Sequence, residues 1–275
     1  GFVIFGMLTE QSIGKLLISG MIPGLILAGA FMVILYVWVK FNPDSAPSSP
    51  EGVTWKEKLS ALKGIWETIV IFLLVIGGIY TGVFTPTEAA GVGATLIFLM
   101  ALAKRKLNRR VLFYSLFETI RVAVMVLFLV AGANVFSYFL ALSTIPMKVS
   151  TWIAGLGVSK YAILTIIVLI YLLLGCFLDA ISMMVLTLPV IFPVILDLGF
   201  DPIWFGVVCI LMMGAGLITP PMGLCVFTVA SVAKDATLEE VFKGALPFLT
   251  AILVVTFLIT LYPQIALYLP SMMGR

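Results

Sequence analysis

The chain contains no histidine, and its 16 basic and 13 acidic residues make up only 11% of 275 positions. Without histidine there is no imidazole proton relay, no histidine-ligated metal and no Ser-His or Cys-His nucleophile pair. A typical soluble domain is about 25% charged and about 45–50% apolar. Here 62% of residues are hydrophobic and the mean hydropathy is +1.23. This excludes a soluble globular domain, a disordered chain and a disulfide-stapled secreted domain. Cysteine is scarce too. Cys176, Cys209 and Cys225 each lie in an apolar run without C-x-x-C spacing, and read as free, membrane-buried thiols. The net charge of +3 gathers into no basic tract suited to nucleic acid. No phosphate-cradling G-x-x-x-x-G-K-[ST] loop is present, which points to an ion gradient rather than ATP as the energy source.

What the sequence has in abundance is long, continuous apolar runs, and these predict an all-α integral membrane protein. The strands of a transmembrane barrel would alternate instead. A spanning helix needs about 20 mainly apolar residues. Residues 16–39, 65–83, 87–103, 118–141 and 246–269 qualify simply. Two longer stretches are interrupted: 161–196 holds a single charge, Asp179, and 202–233 holds none but is broken by GAGLITPPMG at 214–223. Basic residues set orientation. The loops carrying Lys40, Lys56, Lys58 and Lys63, and Lys104, Arg105, Lys106, Arg109 and Arg110, then face the cytoplasm together with Lys234 and Lys243. Lys15, Lys148, Lys160 and Arg275 fall on the opposite side. The Pro/Ser-rich NPDSAPSSPEG at 42–52 reads as a cytoplasmic linker.

Two segments resemble each other: GFVIFGMLTEQSIGKLLISGMIPGL at 1–25 and GLCVFTVASVAKDATLEEVFKGALPFL at 223–249. Gly1 matches Gly223, Phe5 matches Phe227 and Ser12 matches Thr237; Gly20 and Pro23 match Gly244 and Pro247. Counting crossings, the two copies end on opposite sides of the membrane. That is an inverted repeat, an architecture of secondary transporters. Residues 1–64 are then the end of a first repeat plus linker, and 65–275 the second repeat, in one membrane domain. A hairpin and a broken helix precede Gly223 but not Gly1, so the sequence is expected to be the C-terminal portion of a longer transporter.

The candidate site begins with Asp179 in LLLGCFLDAISMMVLTLPVIFPV. A carboxylate at mid-membrane costs about 2.5–3.5 kcal/mol on insertion scales, so it needs an ion, a wet cavity or N–H partners. Gly175 is expected to let the backbone turn, Ser182 offers a hydroxyl, and Pro189 and Pro193 kink the returning helix. Two readings stay open: a re-entrant hairpin with Asp179 near its tip, or two short helices with Asp179 capping the second. The second element is Thr219-Pro220-Pro221, which removes two N–H donors and breaks a helix. The freed carbonyls need a wet or protected place. Carbonyls of Gly216, Thr219 and Met222 with the Thr219 hydroxyl suit a hard cation such as Na⁺, and Gly214, Gly216 and Gly223 permit unwinding. A half-helix starting near Gly223 turns its positive dipole end toward a carboxylate. A plain proline kink is the simpler alternative. Elsewhere, Glu88 reads as a helix-start acid, Glu118 and Arg121 as a pair, and Trp38, Trp66, Trp152 and Trp204 as interfacial anchors.

LGCFLDAISMMVLTLPVIFPVILDLGFDPIWFGV followed by GAGLITPPMGLCVF, with GVFTPTEAAGVGA and SIGKLLISGMIPG, resembles the large membrane subunit of the tripartite ATP-independent periplasmic (TRAP) transporters across essentially the whole sequence. The resemblance implies an inverted-repeat ion-transporter fold with a re-entrant hairpin and a TPP-broken helix. It implies a sodium-coupled, elevator-type importer of the bacterial inner membrane. It also implies a small four-helix membrane subunit and a periplasmic binding protein that delivers an organic acid such as a C4-dicarboxylate or sialic acid. Carried over, a sodium site falls on Gly175, Asp179, Ser182, Gly216, Thr219 and Met222. One wall of the substrate site falls on Thr219, Pro220, Pro221 and Gly223. Na⁺ is the coupling ion and no cofactor is implied. Cys225 departs from the asparagine that many members carry there. The alternative within the superfamily is a single-component sodium-carboxylate symporter, which needs no binding protein. An intramembrane protease is disfavoured, because Asp179 has no second aspartate and no histidine can serve as a base.

Overall fold

In the computed structural model, residues 1–43, 66–155, 157–221, 223–233 and 237–273 are described, and all their regular elements are helices. In chain order these are α1 (Phe2–Thr9), α2 (Ile13–Ser19), α3 (Met21–Phe41), α4 (Trp66–Tyr80), α5 (Pro86–Ala103), α6 (Arg109–Ser143) and α7 (Ile145–Gly155). They continue with α8 (Lys160–Gly175), α9 (Ala180–Asp197), α10 (Pro202–Ile218), α11 (Leu224–Val232), α12 (Leu238–Leu261) and α13 (Gln264–Met272). Met222, Lys56, Lys58, Lys63, Lys234, Arg275 and the linker from residue 44 onward lie outside the described residues.

Among the described residues, five segments are long and apolar enough to cross a membrane: Ile13–Phe41, Pro86–Ala103, Arg109–Ser143, Ala180–Asp197 and Leu238–Leu261. Four of the five simple spans expected are among these, with shifted ends; the remaining one, 65–83, forms only the 15-residue helix Trp66–Tyr80, and the fifth candidate is instead the returning arm Ala180–Asp197. The span at 118–141 starts earlier, because Asn108 Oδ1 accepts the Val111 N–H at 2.8 Å and opens α6 there. The span at 246–269 begins earlier as well, where Thr237 and Glu240 form a reciprocal capping box. It is divided at Tyr262-Pro263 into α12 and α13.

The chain forms two compact units, whose boundaries fall inside α3, α6 and α13. Unit two (Leu35–Ala123 with Ser271–Arg275) contains the antiparallel pair α4 and α5. Its turn is tight. Gly82 takes a φ of 75°, the Phe84 N–H reaches the Gly78 carbonyl at 3.1 Å, and the Phe84 ring lies where a Cβ on Gly78 would be. α5 then starts on a capping box: Thr85 N–H donates to Glu88 at 2.8 Å and Glu88 N–H to the Thr85 hydroxyl at 3.3 Å. Glu88 thus has the helix-start role expected of it. A Lys104–Glu67 ion pair joins the far ends of the two helices. Glu118 and Arg121 pair as expected, at 3.7 Å.

Unit one (Gly1–Ile34 and Val124–Pro270) is built around α10. Twelve of the 17 residues of α10 are buried, so it is covered on all sides, as a helix apolar all round must be. α1, α2, α8, α9, α11 and α12 all pack against it. Phe5, Leu16, Tyr171, Met183, Trp204, Phe205 and Met212 fill the centre. Trp204 is only 1% exposed, and its indole N–H donates to the Ile259 carbonyl at 2.9 Å. This corrects its reading as an interfacial anchor. Trp38, Trp66 and Trp152 are exposed. All three cysteines are free, as expected; Cys176 and Cys209 are buried within the protein and Cys225 is exposed on α11.

The two similar segments fold alike locally. α1 starts on Gly1 and α11 on Gly223, both without a side-chain cap. Ser12 caps α2 and Thr237 caps α12. Gly20 marks the joint between α2 and α3, while α12 runs on through Gly244 and Pro247.

Candidate functional site

α8 and α9 form a helical hairpin. At 1.5 Å per residue, its arms of 16 and 18 residues are about 24 and 27 Å long; the first falls short of a spanning helix and the second is at the lower limit for a hydrocarbon core of about 30 Å. Residues 176–179 make the tip. The N–H groups of Phe177 and Leu178 fold back onto the Leu174 carbonyl at 2.9 and 2.8 Å. Asp179 then caps α9: its Oδ2 accepts the Ile181 and Ser182 N–H groups at 3.1 Å each. Asp179 therefore occupies the tip and serves as a cap at once. Ser182 meets the carboxylate through its backbone N–H.

One of the buried polar pairs lies below the tip. Tyr171 of α8 and Thr187 of α9 share a hydrogen bond of 2.8 Å, and the Thr187 hydroxyl donates to the Met183 carbonyl at 2.7 Å. The two residues stand eight positions before and eight after Asp179, and their bond ties the arms in register. The sequence carries this signal as two polar residues placed symmetrically in apolar arms, and sequence reasoning overlooked it.

α10 stays helical through Gly214 and Gly216 to Ile218. The glycines do not unwind it, and the break is confined to the Thr219–Gly223 stretch. Thr219 leaves the helix with φ −94° and ψ 136°, its N–H reaching the Gly216 carbonyl at 3.1 Å and its hydroxyl donating to the Ala215 carbonyl at 2.7 Å. The Pro220–Pro221 peptide bond is cis. The Thr219 carbonyl accepts the Gly223 N–H at 3.1 Å. Gly223 has a φ of 32° and ψ of 59°, a left-handed conformation that suits glycine. Its carbonyl accepts the N–H groups of Val226 and Phe227, opening α11. The Gly216 and Thr219 carbonyls each hold one internal hydrogen bond, and each keeps a second lone pair.

The hairpin and the break meet through glycine. A Cβ built on Gly216 would lie 2.5 Å from Gly175 Cα, and one on Gly175 would lie 2.8 Å from Gly216 Cα. Gly175 remains the last residue of α8, so its smallness serves this backbone approach rather than the turn expected of it. A cavity of about 260 Å³ opens beside the contact, lined by Gly175, Phe177, Leu178, Asp179, Gly216, Leu217 and Gly223. Of the expected site residues, Gly175, Asp179, Gly216 and Gly223 thus share one cavity. Thr219 stands next to them in the break. Ser182, Pro220 and Pro221 are not among the lining residues, and Met222 lies outside the described residues. Phe177, Leu178 and Leu217 line the cavity without having been singled out.

Comparison with known proteins identifies the family. The family described as "Tripartite ATP-independent periplasmic transporter, DctM component" matches residues 1–265. The C4-dicarboxylate TRAP transporter large permease protein DctM of Pseudomonas aeruginosa is 34% identical over 274 residues, covering 99% of this chain and 63% of that protein. The sialic acid TRAP transporter permease protein SiaT of Haemophilus influenzae is 34% identical, covering 98% of this chain and 44% of its own length. The 2,3-diketo-L-gulonate TRAP transporter large permease protein YiaN of Escherichia coli is 30% identical, with 90% and 57% covered. The chain thus spans 44 to 63% of the length of these relatives. An all-helical chain with five membrane-crossing candidates, matched along nearly its whole length, belongs to the DctM family of TRAP transporter large permease subunits, a transport family and not an enzyme family.

Proposed function

We propose that the protein carries the second half of a sodium-coupled permease of the bacterial inner membrane that imports an organic acid. The observation that carries this reading is the meeting of the hairpin tip and the TPP break around one cavity. Three features support it. Asp179 supplies a fixed negative charge at a site otherwise built of backbone and apolar groups. The Thr219 hydroxyl donates inward to Ala215 and so keeps its lone pairs for a cation, next to the Gly216 and Thr219 carbonyls. α11 begins at the cavity with no side-chain cap, so its positive end is available to a substrate carboxylate.

In this mechanism Na⁺ binds to oxygens of the hairpin end and the break, at Gly175, Asp179, Ser182, Gly216, Thr219 and Met222. Its charge draws the tip onto the break. The substrate carboxylate then sits against Thr219, Pro220, Pro221 and the α11 end at Gly223. Unit one moves as an elevator and releases the acid to the cytoplasm. Sodium entry is worth about 2.3 kcal/mol per charge per 100 mV of membrane potential. The local likeness of α1–α2 to α11–α12 supports an inverted repeat, with 1–64 closing the first copy and 65–275 forming the second. The relatives' names support C4-dicarboxylates, sialic acid or a related sugar acid as substrate class. The family name supports a tripartite system with a small membrane subunit and a periplasmic binding protein.

The test is reconstitution of the full-length parent with its small subunit and binding protein in liposomes. Labelled organic-acid uptake is expected to require both an inward sodium gradient and the binding protein, and to collapse in Asp179→Asn. Uptake indifferent to replacing sodium by potassium overturns the coupling. Sodium-driven uptake without the binding protein moves the protein to the single-component symporters.

A further inference from the structure

A second cavity, of about 320 Å³, lies away from the site already described, between α7 and the arms of the hairpin. Its walls are wholly apolar: Val149 and Trp152 of α7, Ile163, Ile166 and Ile170 of α8, and Val194 of α9, among others. Ile170 lies seven residues beyond Ile163, so the groove runs for about 10 Å along α8. Inside a bilayer such a groove has no intrinsic preference for protein over acyl chain, since the two are equally apolar. Any selectivity has to come from its polar end.

That end carries charge. Lys160 opens α8 three residues before Ile163, and Lys148 stands four residues before Trp152 on α7, so each shares the helix face that lines the groove. Both are exposed, and neither has a carboxylate partner within salt-bridge distance among the described residues. The Lys160 ammonium is steered over the Phe200 and Tyr161 rings, 5.2 and 5.6 Å from their centroids. The two carboxylates at this end are already engaged: Asp197 at the close of α9 by the Ser150 hydroxyl, a bond that also pins α7 to α9, and Asp201 by the Ile203 and Trp204 N–H groups at 2.8 and 3.0 Å. Among the described residues neither carboxylate reaches a lysine within salt-bridge distance, which leaves both ammonium groups to an outside anion. Trp152, 67% exposed at the groove wall, is the residue type that settles at headgroup depth. On the orientation argued from the basic loops, both lysines lie at the membrane face away from the cytoplasm.

We infer that this groove holds one acyl chain of an anionic phospholipid, whose phosphate is met by Lys148 and Lys160. The lipid wedges between α7 and the hairpin that carries Asp179, and so couples the bilayer to the element that moves. The proposal stands on the groove and its lysines, and does not depend on sodium coupling.

The test uses the full-length parent in mild detergent, equilibrated with equal amounts of phosphatidylglycerol and phosphatidylethanolamine of identical acyl chains and read by native mass spectrometry. The tightest-held lipid is expected to be phosphatidylglycerol, favoured by about tenfold. Lys148→Gln with Lys160→Gln is expected to remove that one equivalent. Ile166→Trp, which fills the groove from an exposed wall position and leaves both charges, is expected to reduce retention of either lipid. Equal retention of the two lipids by the unsubstituted protein overturns the inference. So does phosphatidylglycerol retention unchanged in the lysine double variant, or no retained lipid at all because another part of the parent covers the groove.

Discussion

Gly216→Ala puts the smallest possible obstacle at the contact on which the site depends. The new Cβ would stand 2.5 Å from Gly175 Cα, 2.8 Å from its carbonyl carbon and 2.9 Å from its oxygen. All three are backbone atoms, so no side chain can rotate away. Ordinary carbon contacts begin near 3.5 Å, so the hairpin end must retreat from α10 by about 1 Å. Overpacking of this kind costs about 1–3 kcal/mol. If that falls on the closed, cation-bound arrangement, apparent sodium affinity drops by about 5- to 150-fold. The control lies two residues earlier on the same helix. A Cβ on Gly214 meets nothing within 4 Å. Both variants gain the same helix propensity, about 1 kcal/mol for Gly to Ala, so propensity cannot explain a difference between them. The assay is the sodium dependence of uptake by the reconstituted parent complex. Gly214→Ala is expected to behave like the unsubstituted protein and Gly216→Ala to need far more sodium. Half-saturation within twofold of each other in the two variants would refute the reasoning that the Gly175–Gly216 approach builds the site.

Other outcomes follow from the same geometry. Asp179→Asn keeps a good N-cap on α9 while removing the charge, so thermal stability in detergent should change little as sodium-dependent uptake is lost; Asp179→Ala should lower stability too, by about 1 kcal/mol. Gly223→Ala should weaken uptake, because the residue sits at φ 32° and a Cβ there would meet the Phe242 ring at 2.7 Å; substrate half-saturation is the readout. Trp204→Phe should lower the unfolding midpoint, a loss of about 1–3 kcal/mol, through the orphaned Ile259 carbonyl and the smaller ring in a buried position.

Local chemistry was written plainly in the residues. Apolar runs near 20 residues long read directly as helices, because the bilayer leaves few other ways to satisfy a backbone. Glu88 marked the start of α5, and Asp179 ahead of α9 was legible as one possible cap, because a helix start acts over three residues and needs nothing distant. Pro220 and Pro221 declared a break for the same reason. Span ends were less legible: 246–269 reads as one span by length, although Pro263 ends α12 inside it.

Tertiary structure decided what those signals were for. Gly175 read as a turn residue and Gly214 and Gly216 as sites of unwinding, yet all three stay helical, and only the packing of α8 on α10 reveals that Gly175 and Gly216 are small because their backbones touch. Trp204 has the sequence context of an interfacial anchor and the surroundings of a core residue, since burial depends on what arrives from α12. The Tyr171–Thr187 tie and the groove beside α7 likewise join residues on different helices. The sequence by itself determined the helices, their caps, the break and the membrane as solvent, because each acts within a turn or two of chain. Which glycine meets which, and where a cavity opens, came from packing, because side-chain volumes far apart in the sequence select one another only once the helices are brought together.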